Sequence, residues 1–192
     1  MKSALSFLDE QQVEDLASCC GRPDPGNVLE GELIDTHRQL VRMGLGLIIK
    51  LFVPMVATRH GGKGRRGWAP TQKTVFDYGG VLRNAGPVSF DAKERDTDSG
   101  AGYRFSYSNV RPHQWAALAA YEGWGFAGFV FVGMKEGGEV LRAALVKPSW
   151  IQKGSGVDLR DCPLVMREGI GFWPWHRLVV NYDLWKRRAE LW

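Results

Sequence analysis

Apolar and polar positions follow different rhythms along the chain, and each rhythm predicts a kind of element. "SALSFLDEQQVEDLASCCG" (residues 3–21) repeats at helical spacing and stops at Gly21. The proline- and glycine-bearing loop "RPDPG" (22–26) separates that helix from the rest of the chain. "NVLEGELIDTHRQLVRM" (27–43) predicts a second helix with Asn27 as its cap. At about 100° per residue, Leu29, Leu33, Ile34, Leu40 and Val41 share one face, and Glu32, Asp35, Arg38, Gln39 and Arg42 lie opposite. Glu30 and His37 break the pattern, because both fall inside the apolar stripe.

The rest alternates between strand-like and helix-like segments. "LGLIIKLFVP" (45–54) is β-rich and ends at Pro54; the polar, glycine-rich and basic "TRHGGKGRRGWAPTQK" (58–73) after it reads as a loop. "TVFDYGGVL" (74–82), the turn "RNAGP" and "VSFDAK" (88–93) predict a hairpin. "RPHQWAALAAYEGWG" (111–125) is a short helix with Pro112 in its first turn. "FAGFVFVGM" (126–134) and "EVLRAALV" (139–146) read as strands around a "KEGG" turn. The order of helix, several strands, helix and strands predicts an α/β or α+β sandwich on a mixed sheet. No internal repeat or low-complexity tract interrupts it.

Composition narrows the classes. A chain of 192 residues, 44% hydrophobic and 24% charged, suits one domain with a substantial core. Its net charge of +4 fits a polyanionic partner without establishing one. Cys19, Cys20 and Cys162 form neither a disulfide framework nor a zinc spacing, which points to a reducing compartment. The longest apolar run, around 44–56, is broken by Lys50 and Pro54, and no signal peptide is recognised, so a cytoplasmic protein without a membrane partner is expected.

Candidate chemistry centres on "VSFDAKERD" (88–96). On a strand, Val88, Phe90 and Ala92 point to one face while Ser89, Asp91 and Lys93 point to the other. Taken alone, a D-x-K is an ordinary solvated face. Asp77 adds a second acid, in "VFDYGG", where Gly79 and Gly80 leave room for something to approach the backbone; turn chemistry is the simpler reading of such an acid. Strands joined by a short connection can place Asp77 beside Asp91, and two adjacent carboxylates repel unless a cation or proton lies between them. Lys93 supplies one positive charge, and a divalent metal with oxygen ligands, magnesium or manganese, would supply more. Glu30 either reaches solvent from the helix start or faces this same site.

These segments together resemble the PD-(D/E)XK nucleases. "GNVLEGEL" (26–33), "FDYGGVL" (76–82), "VSFDAKE" (88–94) and "RFSYSNVRPHQ" (104–114) are similar, in order, to the motifs of the RecU-type Holliday junction resolvases. The likeness runs from about Gly26 to Met134, with a fainter echo at "VNYDL" (180–184). The segment ending in Asn109, His113 and Gln114 is its most family-specific part. Two departures stand out: Asp91 occupies a position where the family usually carries glutamate, and residues 1–25 lack the family's arginine-rich leader.

The resemblance implies a restriction-endonuclease-like mixed β-sheet flanked by helices. An N-terminal helical extension (1–25) would precede a nuclease domain (26–192) carrying a basic, stalk-like insertion at 58–73. It implies that Asp77, Asp91 and the Ala92 carbonyl hold Mg2+, with Mn2+ as a substitute, and that Glu30 joins the same metal site from the helix, directly or through water. Lys93 would orient the attacking water or neutralise the phosphate, and Gln114 would position a water or a phosphate oxygen. His113 reads as a structural residue or a phosphate contact rather than a base. Lys63, Arg65, Arg66 and Arg104 would contact DNA, with Arg111, Lys147 and Lys153 extending the footprint; the bland reading of 58–73 is a solvated flexible loop. The tryptophans of "GFWPWHR" (171–177) read as core or subunit interface rather than base-stacking platforms. The expected function is a homodimeric, metal-dependent endonuclease resolving four-way DNA junctions. The alternatives are a related nuclease acting on other branched or duplex DNA, and a DNA-structure binding protein that does not cut. The complete set of acids and lysine weighs against the last.

Overall fold

The structure is a computed structural model that describes residues 8–22, 27–51, 55–59, 66–70 and 74–181, with only the backbone for 55–59 and 66–70. Its elements run α1 (Glu10–Ser18), α2 (Val28–Arg42), β1 (Gly46–Lys50), β2 (Met55–Arg59), β3 (Arg66–Pro70), β4 (Tyr78–Leu82), β5 (Gly86–Asp96), β6 (Arg104–Ser106), α3 (Pro112–Gly123), β7 (Ala127–Glu136), β8 (Glu139–Val146), β9 (Gly156–Asp158), β10 (Leu164–Met166) and α4 (His176–Val180). Six strands form one mixed sheet in the order β1-β4-β5-β7-β8-β10. All its pairings are antiparallel except β5 with β7, which is parallel and requires the crossover that contains α3. This is the mixed sheet flanked by helices that the sequence predicted.

Both faces of the sheet are covered, which explains the unbroken apolar runs of its central strands. Side chains of β7 alternate between two cores: Phe129 and Phe131 join Leu29, Leu33 and Ile34 of α2, while Val130, Val132 and Met134 join Trp115 and Leu118 of α3. β8 divides in the same way, Ala143 and Leu145 to the first core and Ala144 and Val146 to the second. Gly128 permits the close seating of α3, since a Cβ there would lie 2.4 Å from the Leu118 carbonyl oxygen. Trp173 and Trp175 are fully buried in the α2 core, so these tryptophans are core residues.

Helix α2 begins where the sequence placed it, with the Asn27 side chain accepting from the Glu30 amide at 3.0 Å. Both exceptions in its apolar stripe are buried. His37 sits against the rings of Tyr78, Phe90 and Trp175, and burial lowers its pKa to about 3, so it is neutral there. Helix α1 packs on α2 through an Arg42–Glu14 pair (2.7 Å), and Ala17 and Cys20 enter the same core.

Three expectations change. The stretch 58–73 is not a loop throughout: β2 and β3 pair antiparallel from Met55↔Pro70 to Arg59↔Arg66, because "MVATR" carries enough β-branched character to extend despite the glycines around it. The space beside Gly79 and Gly80 is already filled. A Cβ on Gly80 would lie 2.0 Å from the Leu47 carbonyl oxygen, and one on Gly79 would lie 3.3 Å from the Phe76 ring. The glycines serve strand packing, not ligand approach. Lys147 is buried and ion-paired with Glu122 at 3.1 Å, so it is a structural residue rather than part of a DNA footprint.

Candidate active site

Strand β4 pairs with β5 only as far as Tyr78↔Phe90, whereas β5 continues to Asp96 beside β7 alone. The sheet therefore splits at this level, and the split is where the acids meet. Asp77 lies one residue before β4, so it falls opposite Asp91 by continuation of the ladder. Its carboxylate takes the place of the missing strand: Oδ2 accepts a hydrogen bond from the Ala92 amide at 3.2 Å. Because the N–H and C=O of one strand residue point to the same side, the Ala92 carbonyl faces the split as well. A cleft of about 250 Å3 opens here, lined by Asn27, Glu30, Lys50, Asp77, Lys93 and Glu94 among others.

The D-x-K alternation is realised. Phe90 points into the α2 core, and Asp91 is completely buried on the opposite side of β5. Lys93 Nζ lies 2.5 Å from Asp91 Oδ2 and 3.8 Å from Asp77 Oδ2, so one ammonium spans both carboxylates. Gln114, from the first turn of α3, is itself buried and donates from Nε2 to Asp91 Oδ1 at 2.8 Å. Its other end accepts from the Arg111 amide at 3.3 Å, which fixes the orientation of the side-chain amide. The partner that the Gln114 amide nitrogen meets is thus Asp91, which it holds in place. Burial first, and the Asp77 carboxylate second, push the Asp91 pKa up to about 7, with Lys93 pulling it back.

Glu30 is buried at the start of α2, and the cation that meets it is Lys50, at the end of β1, which ion-pairs with its Oε1. Lys50 was visible in the sequence only as an interruption of an apolar run; a lysine closing a core strand next to an acid in an apolar stripe is the signal that could have found it. Both residues line the same cleft as Asp77 and Lys93.

Of the remaining predicted residues, His113 and Arg104 lie outside this cluster. The His113 ring is partly buried, with Nε2 3.2 Å from the Thr74 carbonyl oxygen. Arg104 is exposed on β6, and its carbonyl accepts from Arg95 Nη2 at 3.4 Å. Arg66 opens β3, whereas Lys63 and Arg65 lie outside the described residues.

As a metal site, the donor set is two carboxylates and a main-chain carbonyl, all hard oxygens suited to Mg2+ or Mn2+. Among the described residues no group of three or more His, Cys, Asp or Glu side chains converges on one point, so water would have to supply the remaining ligands. The donors fit such an ion: Asp91 Oδ2 has no directional hydrogen-bond donor, and a cation between the acids would relieve the repulsion that raises Asp91. No helix among the described residues is long and apolar enough to cross a membrane.

Comparison with known proteins bears on the same residues. The family model described as RecU, recombination protein U, matches residues 24–156, a span that contains Glu30, Lys50, Asp77, Asp91, Lys93 and Gln114. No curated protein matches the chain.

Proposed function

This chain belongs to the RecU family, and from that premise we propose that it is a metal-dependent endonuclease that resolves four-way DNA junctions during recombination and repair. The observation that carries the reading is the convergence of Asp77, Asp91 and Lys93 where β4 and β5 part. A protein that only bound DNA would gain nothing from setting a part-exposed carboxylate beside a fully buried one, where their repulsion is costly.

Asp77, Asp91 and the Ala92 carbonyl would hold the Mg2+, for which Mn2+ can substitute. When bound, such an ion lowers the pKa of a water and stabilises charge on a scissile phosphate. The chain's own groups do the rest. Gln114 keeps Asp91 Oδ1 occupied, so that Oδ2 is the oxygen turned toward Lys93. Lys93, about a third exposed, would orient the attacking water or neutralise charge on a phosphate oxygen. Glu30 and Lys50 form a second acid–cation pair on the far wall, suited to orienting a water between wall and phosphate. Arg66, with Lys63, Arg65 and Arg104, would contact the backbone of the junction arms. Paired incisions on a nearly two-fold symmetric junction call for two such sites on a dyad, hence a homodimer.

The direct test is incubation of the purified protein with an end-labelled four-way junction and with linear duplex, with and without Mg2+. Symmetric nicks in opposing junction strands, dependent on the ion, are expected. Equal cutting of the duplex would make it a general nuclease, and junction binding without any cutting would make it a DNA-structure binding protein.

A further inference from the structure

Asp77 is carried on a segment that is not part of any strand. Residues 74–77 enter β4 from the β2–β3 insertion, and the Asp77 carboxylate is about a third exposed. Something must hold this segment still, since a metal ligand displaced by an ångström loses most of its value. Besides the Ala92 amide and Lys93, which meet the Asp77 carboxylate itself, three contacts fasten its backbone and its neighbours. Leu51, just past the end of β1, donates its amide to the Asp77 carbonyl at 2.8 Å. Phe76 meets the ring of Tyr121 on α3 edge-on at 5.4 Å. His113 reaches across from the first turn of α3 with Nε2 3.2 Å from the Thr74 carbonyl oxygen. A carbonyl accepts only, so Nε2 must carry a proton in this bond.

We propose that His113 is a positioning residue for the Asp77 carboxylate: its hydrogen bond to Thr74 ties the segment that bears Asp77 to the same helix turn from which Gln114 holds Asp91. This rests on the nuclease reading above and gives the histidine a role other than phosphate contact or proton transfer. One rigid turn of α3 thereby sets both carboxylates, Asp91 directly at 2.8 Å and Asp77 through the backbone three residues upstream. The same tie joins the end of the insertion to the site, because the β2–β3 hairpin lies in the chain between Leu51 and Thr74.

The test compares His113→Phe, which keeps ring volume but has no donor, with His113→Gln, whose amide nitrogen can reach where Nε2 stood. Mn2+ binding by the free protein is followed by the loss of the free-ion electron paramagnetic resonance signal. Junction affinity is measured in Ca2+, and turnover in Mg2+. The phenylalanine variant should bind Mn2+ more weakly and lower kcat, each by about tenfold, the low end for a group acting behind a metal ligand. Junction affinity should stay within about twofold and its salt dependence unchanged, since no phosphate contact is lost. Glutamine should restore both metal binding and kcat. If phenylalanine fails to fold, His113→Asn takes its place, because its donor is too short to reach Thr74.

Wild-type Mn2+ affinity in the donor-less variant would overturn the proposal. So would failure of glutamine to rescue, or a loss of junction affinity with a salt slope smaller by about one, the signature of a phosphate contact. A wild type that binds Mn2+ but cuts no junction would defeat the resolvase reading while the Mn2+ contrast still decided this one.

Discussion

Replacing Asp91 with asparagine should make the metal-free protein more stable while removing its activity. The Asp91 carboxyl is completely buried and its pKa rises from 3.8 to about 7, first through burial and then through Asp77. The folded chain therefore holds this proton over a range in which the unfolded chain has released it. Below about pH 4 the carboxyl is protonated in both states and has no effect. Between about pH 4 and 7 the folded state binds more protons, so this group makes stability fall as pH rises, and above about 7 the full penalty is present. At about 1.4 kcal/mol per tenfold, the ceiling is about 4 kcal/mol. Asparagine keeps the oxygen that accepts from Gln114 and puts its NH2 where Oδ2 stood, so an N–H can face Asp77 while the Lys93 ammonium, also a donor, moves out toward water. Lys93 loses a partner but is about a third exposed, so water can replace the carboxylate at a cost of about 1 kcal/mol or less. A gain of about 2–3 kcal/mol at pH 8, shrinking to under about 1 at pH 4, is therefore expected. Urea denaturation of both proteins in EDTA at pH 4, 6 and 8 measures the difference, and subtraction removes the contribution of every other titrating group. An asparagine variant less stable than wild type at pH 8, or a difference that does not change with pH, would refute the argument. Adding Mn2+ should reverse the order, because only the wild type retains the ligand that links binding to folding.

Other outcomes follow from the same geometry. Asp77→Asn and Asp91→Asn should each abolish junction cleavage and leave junction binding near wild type in a gel-shift assay. Lys50→Met should destabilise the fold by about 3–5 kcal/mol by leaving Glu30 buried without its cation, and Glu30→Gln added to it should recover most of that loss in the same denaturation experiment. Changing Lys63, Arg65 and Arg66 together to serine should reduce the slope of log affinity against log salt by up to about three on a four-way junction, and less on linear duplex. Light scattering should give a dimer mass that reducing agent does not alter, since the subunit contacts would come from strand and helix surfaces and Cys20 and Cys162 are buried; a mass that falls on reduction would instead point to the exposed Cys19.

The sequence by itself determined those features that depend on periodicity. The apolar stripe of α2, its Asn27 cap and the position of Glu30 and His37 inside that stripe could all be read from spacing, because a helix fixes which side chains share a face whatever it packs against; that Glu30 is buried rather than reaching solvent from the helix start was settled by packing. The opposite directions of Phe90 and Asp91 followed from the pleat in the same way. That Asp77 can neighbour Asp91 was legible as well, since a short connection leaves the second strand few registers, although Asp77 falls one residue before the ladder begins at Tyr78↔Phe90. Tertiary structure decided which groups answer the buried charges. Lys50 meets Glu30 from a strand twenty residues away, and nothing local distinguishes that lysine from one that reaches water. Gln114 meets Asp91, and Lys147 turns inward to Glu122, because the crossover through α3 brings separate stretches of chain together. The glycines of β4 looked like space for a ligand, and the space went to β1. In each case the sequence showed that a polar or small residue needed an explanation, and only the packed sheet and helices, by excluding water, fixed which neighbour supplied it.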